Sequence, residues 1–446
     1  MDWLSKSAAD QGRAVGSCAV DPRELTEAYL TAIAEHSDAD RIYARTTPER
    51  ARAEAAEAAV RQAEGRRVGP LDGVPISWKD NIDSAGVVTE GGTKLLAGRV
   101  PDQDAPVLAR GSAAGLICLG KTHLSELAFS GLGVNPITAT PPNAFDPARA
   151  PGGSSSGAAV STALGLAAAG IGSDTGGSVR IPAAWNGLVG LKTTWGALPG
   201  EGVIPLAASL DTIGPLTTTV EDAGVLYAAL LGIPAHALPE PPEAGSVSLR
   251  IPETVVLDGC DAPVREAFET GLDRLGSAGI ALSRGLAPEI AEAFDTCARL
   301  SPLVTAEAWG HWGEAIEANP GQMFPMIEAR FRSGAKIDAE ADAAARTELA
   351  EISRRLSMRI ETEGVLVMPT VPCLAPETER LLDDEDYYTE RNLLALRNTR
   401  LVNILGLCAL TVPLPAPMCG LMLVGAPGTE WDLLAVGARI EALLAE

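Results

Sequence analysis

The stretch 170-GIGSDTGGSVRIP-182 decides how the rest of this 446-residue chain is read. It begins as a small-residue apolar run, turns on Gly176-Gly177-Ser178, and sets Arg180 two positions beyond the serine. Two glycines before a serine let the backbone take conformations closed to other residues. The N–H groups of Thr175, Gly176, Gly177 and Ser178 can then converge on one point, which suits a developing oxyanion. The corner is either a plain turn or a nucleophile loop, and the flanking segments choose between them.

Upstream, Gly152-Gly153-Ser154-Ser155-Ser156-Gly157 opens a helical run to about Leu166, and residues 167–173 read as a strand leading back to the corner. A helix of a dozen residues spans about 18 Å, and a strand of five or six returns roughly 17–20 Å. Ser154 and Ser178 are therefore expected to be neighbours. A hydroxyl is a poor nucleophile until a base takes its proton. Lys79 ends the apolar strand 73-GVPISWKD-80, a position from which burial can strip its charge. Ser154 can relay a proton between Ser178 and Lys79.

Other chemistries fit less well. Gly153–Gly157 matches G-x-S-x-G with Ser155 as its formal nucleophile, but that elbow needs a strand immediately before it. Here a loop with Pro141, Pro142, Pro147 and Pro151 precedes it. The S-x-x-K at Ser333–Lys336 reads as a short polar turn. Four scattered histidines, His36, His123, His236 and His311, make no metal-ligand spacing, and the acidic run at Asp383–Tyr388 reads as a solvated loop. No P-loop is present, and Gly170, Gly172 and Gly176 only approximate a dinucleotide fingerprint.

The surrounding elements alternate. Helices are expected over 22–35, 49–64 and 104–116, and strands over 73–80, 116–122 and 188–194. Strands recur at 249–256, 365–370 and 408–414, beyond a Pro-rich connector at 236–248 and several long helices. This pattern predicts an α/β/α sandwich around a central mixed, mostly parallel sheet. We read residues 1–446 as a single domain: N-terminal helices to 65, a core over 66–225, a helix-rich substrate-side region over 240–365, and C-terminal strands and helix over 366–446.

A formal net charge of −23 argues against nucleic acid, whose phosphates call for a basic footprint. The seven cysteines are dispersed and form no C-x-x-C pair, which fits a reducing compartment. The start, MDWLSKSAADQGRAVG, has no apolar signal-peptide core, and the Ala/Gly-rich run at 157–172 suits a buried helix and strand better than a membrane span. A cytoplasmic location is expected.

Three motifs together, PGGSSSG at 151–157, DTGGSVRIPA at 174–183 and GVPISWKDN at 73–81, resemble the amidase signature family. The likeness extends over most of the chain and is loosest between 240 and 360. It implies that Ser178 is the nucleophile, Ser154 a bridging serine after a cis peptide bond, and Lys79 the base. Gly152, Gly153, Ser155, Asp174 and Arg180 would support the two loops, and Phe129, Ser130 and Gly131 would wall the pocket. The implied reaction is hydrolysis of a small amide or carbamate through an acyl-enzyme, with no cofactor, no metal and no membrane partner, in a chain that can act as a homodimer. Two departures stand out: His123 where the family usually has Asn, and Lys192–Ala197 (KTTWGA) where it usually has K-P-T-x-G-R.

Within the family we favour a stand-alone amidase over the glutaminase component of a tRNA-dependent amidotransferase. A non-catalytic scaffold is the alternative of another class. Trp309, Trp312, Met323, Phe324, Met326 and Phe331 are either a pocket for aryl amides, carbamates or ureas, or core-facing helix residues. A lysine base predicts activity that rises with pH.

Overall fold

The structure is a computed structural model and describes residues 2–445. One sheet of eleven strands runs through it. The first six are β1 (Tyr43–Thr46), β2 (Pro75–Lys79), β3 (Ile117–Thr122), β4 (Gly170–Asp174), β5 (Val189–Lys192) and β6 (Thr212–Thr217). The rest are β7 (Ser248–Pro252), β8 (Ala281–Gly285), β9 (Val365–Pro369), β10 (Cys408–Pro413) and β11 (Gly420–Gly425). Their order is β1-β3-β2-β4-β6-β5-β10-β11-β9-β7-β8, with helices packed against the faces.

The sheet is mixed, as expected, but it is not mostly parallel. Only β2–β3, β2–β4, β7–β8 and β7–β9 run parallel; the other six pairings are antiparallel. Two connections account for much of the difference. β10 and β11 form a hairpin through Leu414–Cys419, too short for a crossover helix. β6 inserts antiparallel between β4 and β5. Its sequence, TIGPLT, holds a glycine and a proline, so strand propensity does not announce it.

The helix Ser156–Ala163 and strand β4 carry the two serine loops. The helix starts and ends two to three residues inside the bounds read from the sequence, and the strand starts three residues later and ends one residue later than read. Small residues let them lie close: a Cβ built on Gly170 would sit 2.5 Å from the Ala158 carbonyl oxygen. Strand β2 is buried along its whole length, as are β3 and β4 on either side of it, so the end of β2 delivers Lys79 into the interior. Among the described residues no helix is long and apolar enough to cross a membrane.

Candidate active site

Lys79 is fully buried at the C-terminal end of β2. Its Nζ lies 2.7 Å from Ser154 Oγ and 2.8 Å from Ser173 Oγ. Asn81 Nδ2 donates to the same Ser173 hydroxyl at 3.0 Å, which fixes that group against the amine. Burial is the dominant influence on Lys79. It outweighs the attraction of Asp174 and Asp211 and pulls the ammonium down from 10.5 to about 7. A lysine so placed is partly neutral near neutral pH and can accept the Ser154 proton.

The two serine loops meet as the helix–strand arithmetic predicts. The Ser155 N–H donates to the Ser178 carbonyl at 3.1 Å, and Ser155 Oγ donates to Ser173 O at 3.2 Å. The peptide bond Gly153–Ser154 is cis. Gly153 N–H donates to Gly131 O at 2.8 Å, so Gly131 props the loop and is not part of the cavity wall. Its carbonyl turns inward to the glycine pair, which corrects its expected place in the pocket. Phe129 and Ser130 do line the cavity. No hydrogen bond joins the Ser154 and Ser178 hydroxyls, and Ser178 Oγ has no partner among the described residues; such contacts often tighten only around substrate.

The corner residues divide their work. Asp174, at the end of β4, accepts from Gly177 N–H at 2.8 Å and Val179 N–H at 3.0 Å. Arg180 grips the same carboxylate with Nε at 3.0 Å and Nη2 at 2.9 Å, and Asn403 Nδ2 donates to it at 2.9 Å. Burial pushes this carboxyl up, but the Arg180 guanidinium and the donated hydrogen bonds win and hold it well below the usual carboxylate range. Gly177 N–H is therefore already engaged, which removes it from the four expected oxyanion donors. The N–H groups of Thr175, Gly176 and Ser178 make no hydrogen bond to a described residue. Gly177 has φ +137°, and a Cβ there would lie 2.1 Å from Thr399 Oγ1, so this position admits only glycine. That explains the glycine immediately before Ser178.

In front of Ser178 the space narrows to about 20 Å³, room for little more than one water. Besides Phe129, Ser130, Thr175, Gly176 and Ser178, its wall includes Arg330 and Arg400. Neither arginine, nor Ser173, Thr399 or Asn403, stands out in the sequence, and Asn81 appears there only as the last residue of the 73–81 motif. The arginines carry no local signal, because the helices Pro325–Ser333 and Glu385–Ile404 that present them lie far from the motifs in the chain.

Other candidates resolve as structural. His123 Nε2 meets Asp40 O at 3.2 Å and lies outside the cavity wall. Trp312, Met323, Phe324 and Phe331 are core residues, with Trp309 and Met326 packed against that core; none lines the cavity at Ser178. Ser333 Oγ donates to Arg330 O at 2.7 Å as the helix ends. Among the described residues no cluster of potential metal ligands occurs.

The model of the family described as Amidase matches residues 24–434. A 2-amino-5-chloromuconic acid deaminase of Comamonas testosteroni is 36% identical over 441 residues, covering 95% of this chain and 94% of its own. The A component of a Glutamyl-tRNA(Gln) amidotransferase from Chloroflexus aurantiacus is 32% identical over 480 residues, covering 99% of this chain and 96% of its own. Among solved structures, the crystal structure of an amidase superposes with a TM-score of 0.87 at 29% identity, over 98% of this chain and 100% of that one.

Proposed function

The chain belongs to the amidase signature family and is an amide C–N hydrolase, and from that premise we propose that Ser178, Ser154 and Lys79 are its catalytic triad. The observation that carries this assignment is the buried Lys79 amine, 2.7 Å from Ser154 Oγ on a loop that meets the loop of Ser178; burial lowers that amine to about 7.

Ser178 Oγ attacks the carbonyl carbon of the amide. Its proton passes to Ser154 Oγ as the Ser154 proton passes to Lys79 Nζ. The carbonyl oxygen gains the negative charge and rests on the unpaired N–H groups of the Ser178 loop. The C–N bond then breaks while the proton returns through Ser154 to the leaving nitrogen. Water adds to the acyl-enzyme by the same relay, releasing the carboxylic acid and restoring Ser178.

The substrate in this proposal is a small amide or an amide-like compound, turned over by this chain on its own. The name of the Comamonas testosteroni relative, a 2-amino-5-chloromuconic acid deaminase, supports a small organic substrate. Aryl amides, carbamates and ureas lie within the same chemistry, although the aromatic residues that favoured them sit in the core. The likeness to a component of an amidotransferase supports a second reading, a glutaminase working within a complex.

The test is turnover of a chromogenic anilide, an aryl carbamate, an aliphatic amide and glutamine by the purified protein, with Ser178→Ala as matched control. Ser178-dependent release of amine or ammonia without a partner supports the stand-alone amidase. Activity equal in parent and variant would sink the triad. Glutamine turnover appearing only with a partner would favour the second reading.

A further inference from the structure

The two arginines at the cavity have no anion. Arg330 Nη1 donates to Phe129 O at 3.0 Å, and its guanidinium stacks on the Phe129 ring at 4.3 Å from the centroid. Arg400 makes no hydrogen bond to any described residue, and its stem packs on the nucleophile loop: a Cβ built on Gly176 would lie 3.9 Å from Arg400 Cβ and Cγ. No described carboxylate comes within 4.0 Å of either guanidinium, in a protein with 58 acidic residues and 35 basic ones. On the same two helices, Arg332 pairs with Glu328 and Arg391 with Asp261.

Leaving two cations unpaired in one confined space is costly. Burial disfavours both charges, and Arg400 further lowers Arg330, to about 10. Neither guanidinium has a nitrogen that is both sealed from solvent and without a partner. A planar guanidinium presents paired donors that match a carboxylate, and two of them bordering one space make an anion site. The same wall holds no Asp or Glu, so a substrate ammonium would find no counter-charge there.

Resting on the proposed triad, we infer that Arg330 and Arg400 form a carboxylate clamp, and that the preferred substrate is an anionic amide without an ammonium group. The carboxylate can belong to the acyl part, as in the monoamide of a dicarboxylic acid, or to the departing amine, as in an N-acyl amino acid. An amide that also carries an α-ammonium group, such as glutamine, is disfavoured because that ammonium would approach two arginines.

Binding and turnover are measured separately. Calorimetry of Ser178→Ala with succinate, glutarate and adipate reads the clamp without catalysis. We expect at least one to bind, and the Ser178→Ala/Arg400→Met double variant to lose roughly 10–100-fold in affinity. In the active protein, glutaramate and N-acetylglycine distinguish the two carboxylate positions, butanamide lacks the charge, and glutamine adds the ammonium. One of the two anionic amides is expected to exceed butanamide and glutamine in kcat/KM. Arg400→Met should raise its KM roughly 10–100-fold, with kcat within about 3-fold, and so erase most of its advantage over butanamide.

Arg400→Met is also expected to melt no lower than the parent, since it removes an uncompensated charge. A lower melting temperature with equal loss on every amide would make Arg400 structural and overturn the clamp. Dicarboxylates that fail to bind, or that bind the Arg400→Met form equally well, would overturn it too. Binding that persists while hydrolysis proves independent of Ser178 would instead overturn the triad and leave the clamp standing.

Discussion

Arg180 and Arg400 are both drawn into the protein, and their surroundings are opposite. Arg180 is fully buried and fully answered, with two bonds to Asp174 and a third to Asn403. Arg400 stands at the cavity with no hydrogen-bonding partner among the described residues. The first arrangement makes a rigid loop, because every donor and acceptor has one place to go. The second leaves a charge for something outside the chain to meet. The contrast separates the part of the site that holds the proposed nucleophile from the part that selects what reaches it.

The largest effect expected is on chemistry. Ser178→Ala should lower kcat by about 10⁴-fold or more, read in the turnover assay with melting unchanged, because no other group takes over the attack. Next comes the answered arginine. Arg180→Met leaves the Asp174 carboxylate buried without its cation and should cost about 3–5 kcal/mol, measured by urea unfolding. If instead it matched Arg400→Met in being harmless, the comparison between the two arginines would fail.

The pH profile gives an intermediate effect. Lys79 must be neutral to act, and its value of about 7 means that kcat/KM should fall about tenfold per pH unit below 7 and level off above 8. The depressed value also has a stability sign. Between about 7 and the ordinary 10.5 the unfolded chain holds the proton that the folded chain has lost, so this group makes stability rise with pH across that window. A rate flat from pH 5 to 9, with the chemical step limiting, would contradict a lysine base. The smallest effect is at Ser155, the formal nucleophile of the G-x-S-x-G match. Ser155→Ala removes one hydrogen bond to Ser173 O and should cost about 0.5–1.5 kcal/mol in stability, with kcat within a few-fold.

Local backbone geometry made much of the site legible before any fold was known. The corner at Gly176-Gly177-Ser178, the Gly-Gly-Ser loop before Ser154 and the strand ending at Lys79 each rest on a few consecutive residues. The helix–strand return that joins them follows from element lengths. Gly177 shows why the letters are restrictive, since its φ and the nearby Thr399 hydroxyl exclude a side chain. The same short-range logic misjudged Gly177 N–H, because only the fold brings the Asp174 carboxylate onto it.

Sequence alone determined the α/β class, the signature loops and the candidate Lys79, Ser154 and Ser178, because spacing and turn chemistry act over tens of residues at most. Tertiary structure alone decided three things: the antiparallel insertion of β6 despite Pro215, the burial that brings Lys79 to about 7, and the meeting of Arg330 and Arg400 at Ser178. Each depends on groups far apart in the chain, and desolvation and charge depend on everything that surrounds a group. No run of letters carries that sum until the chain has packed.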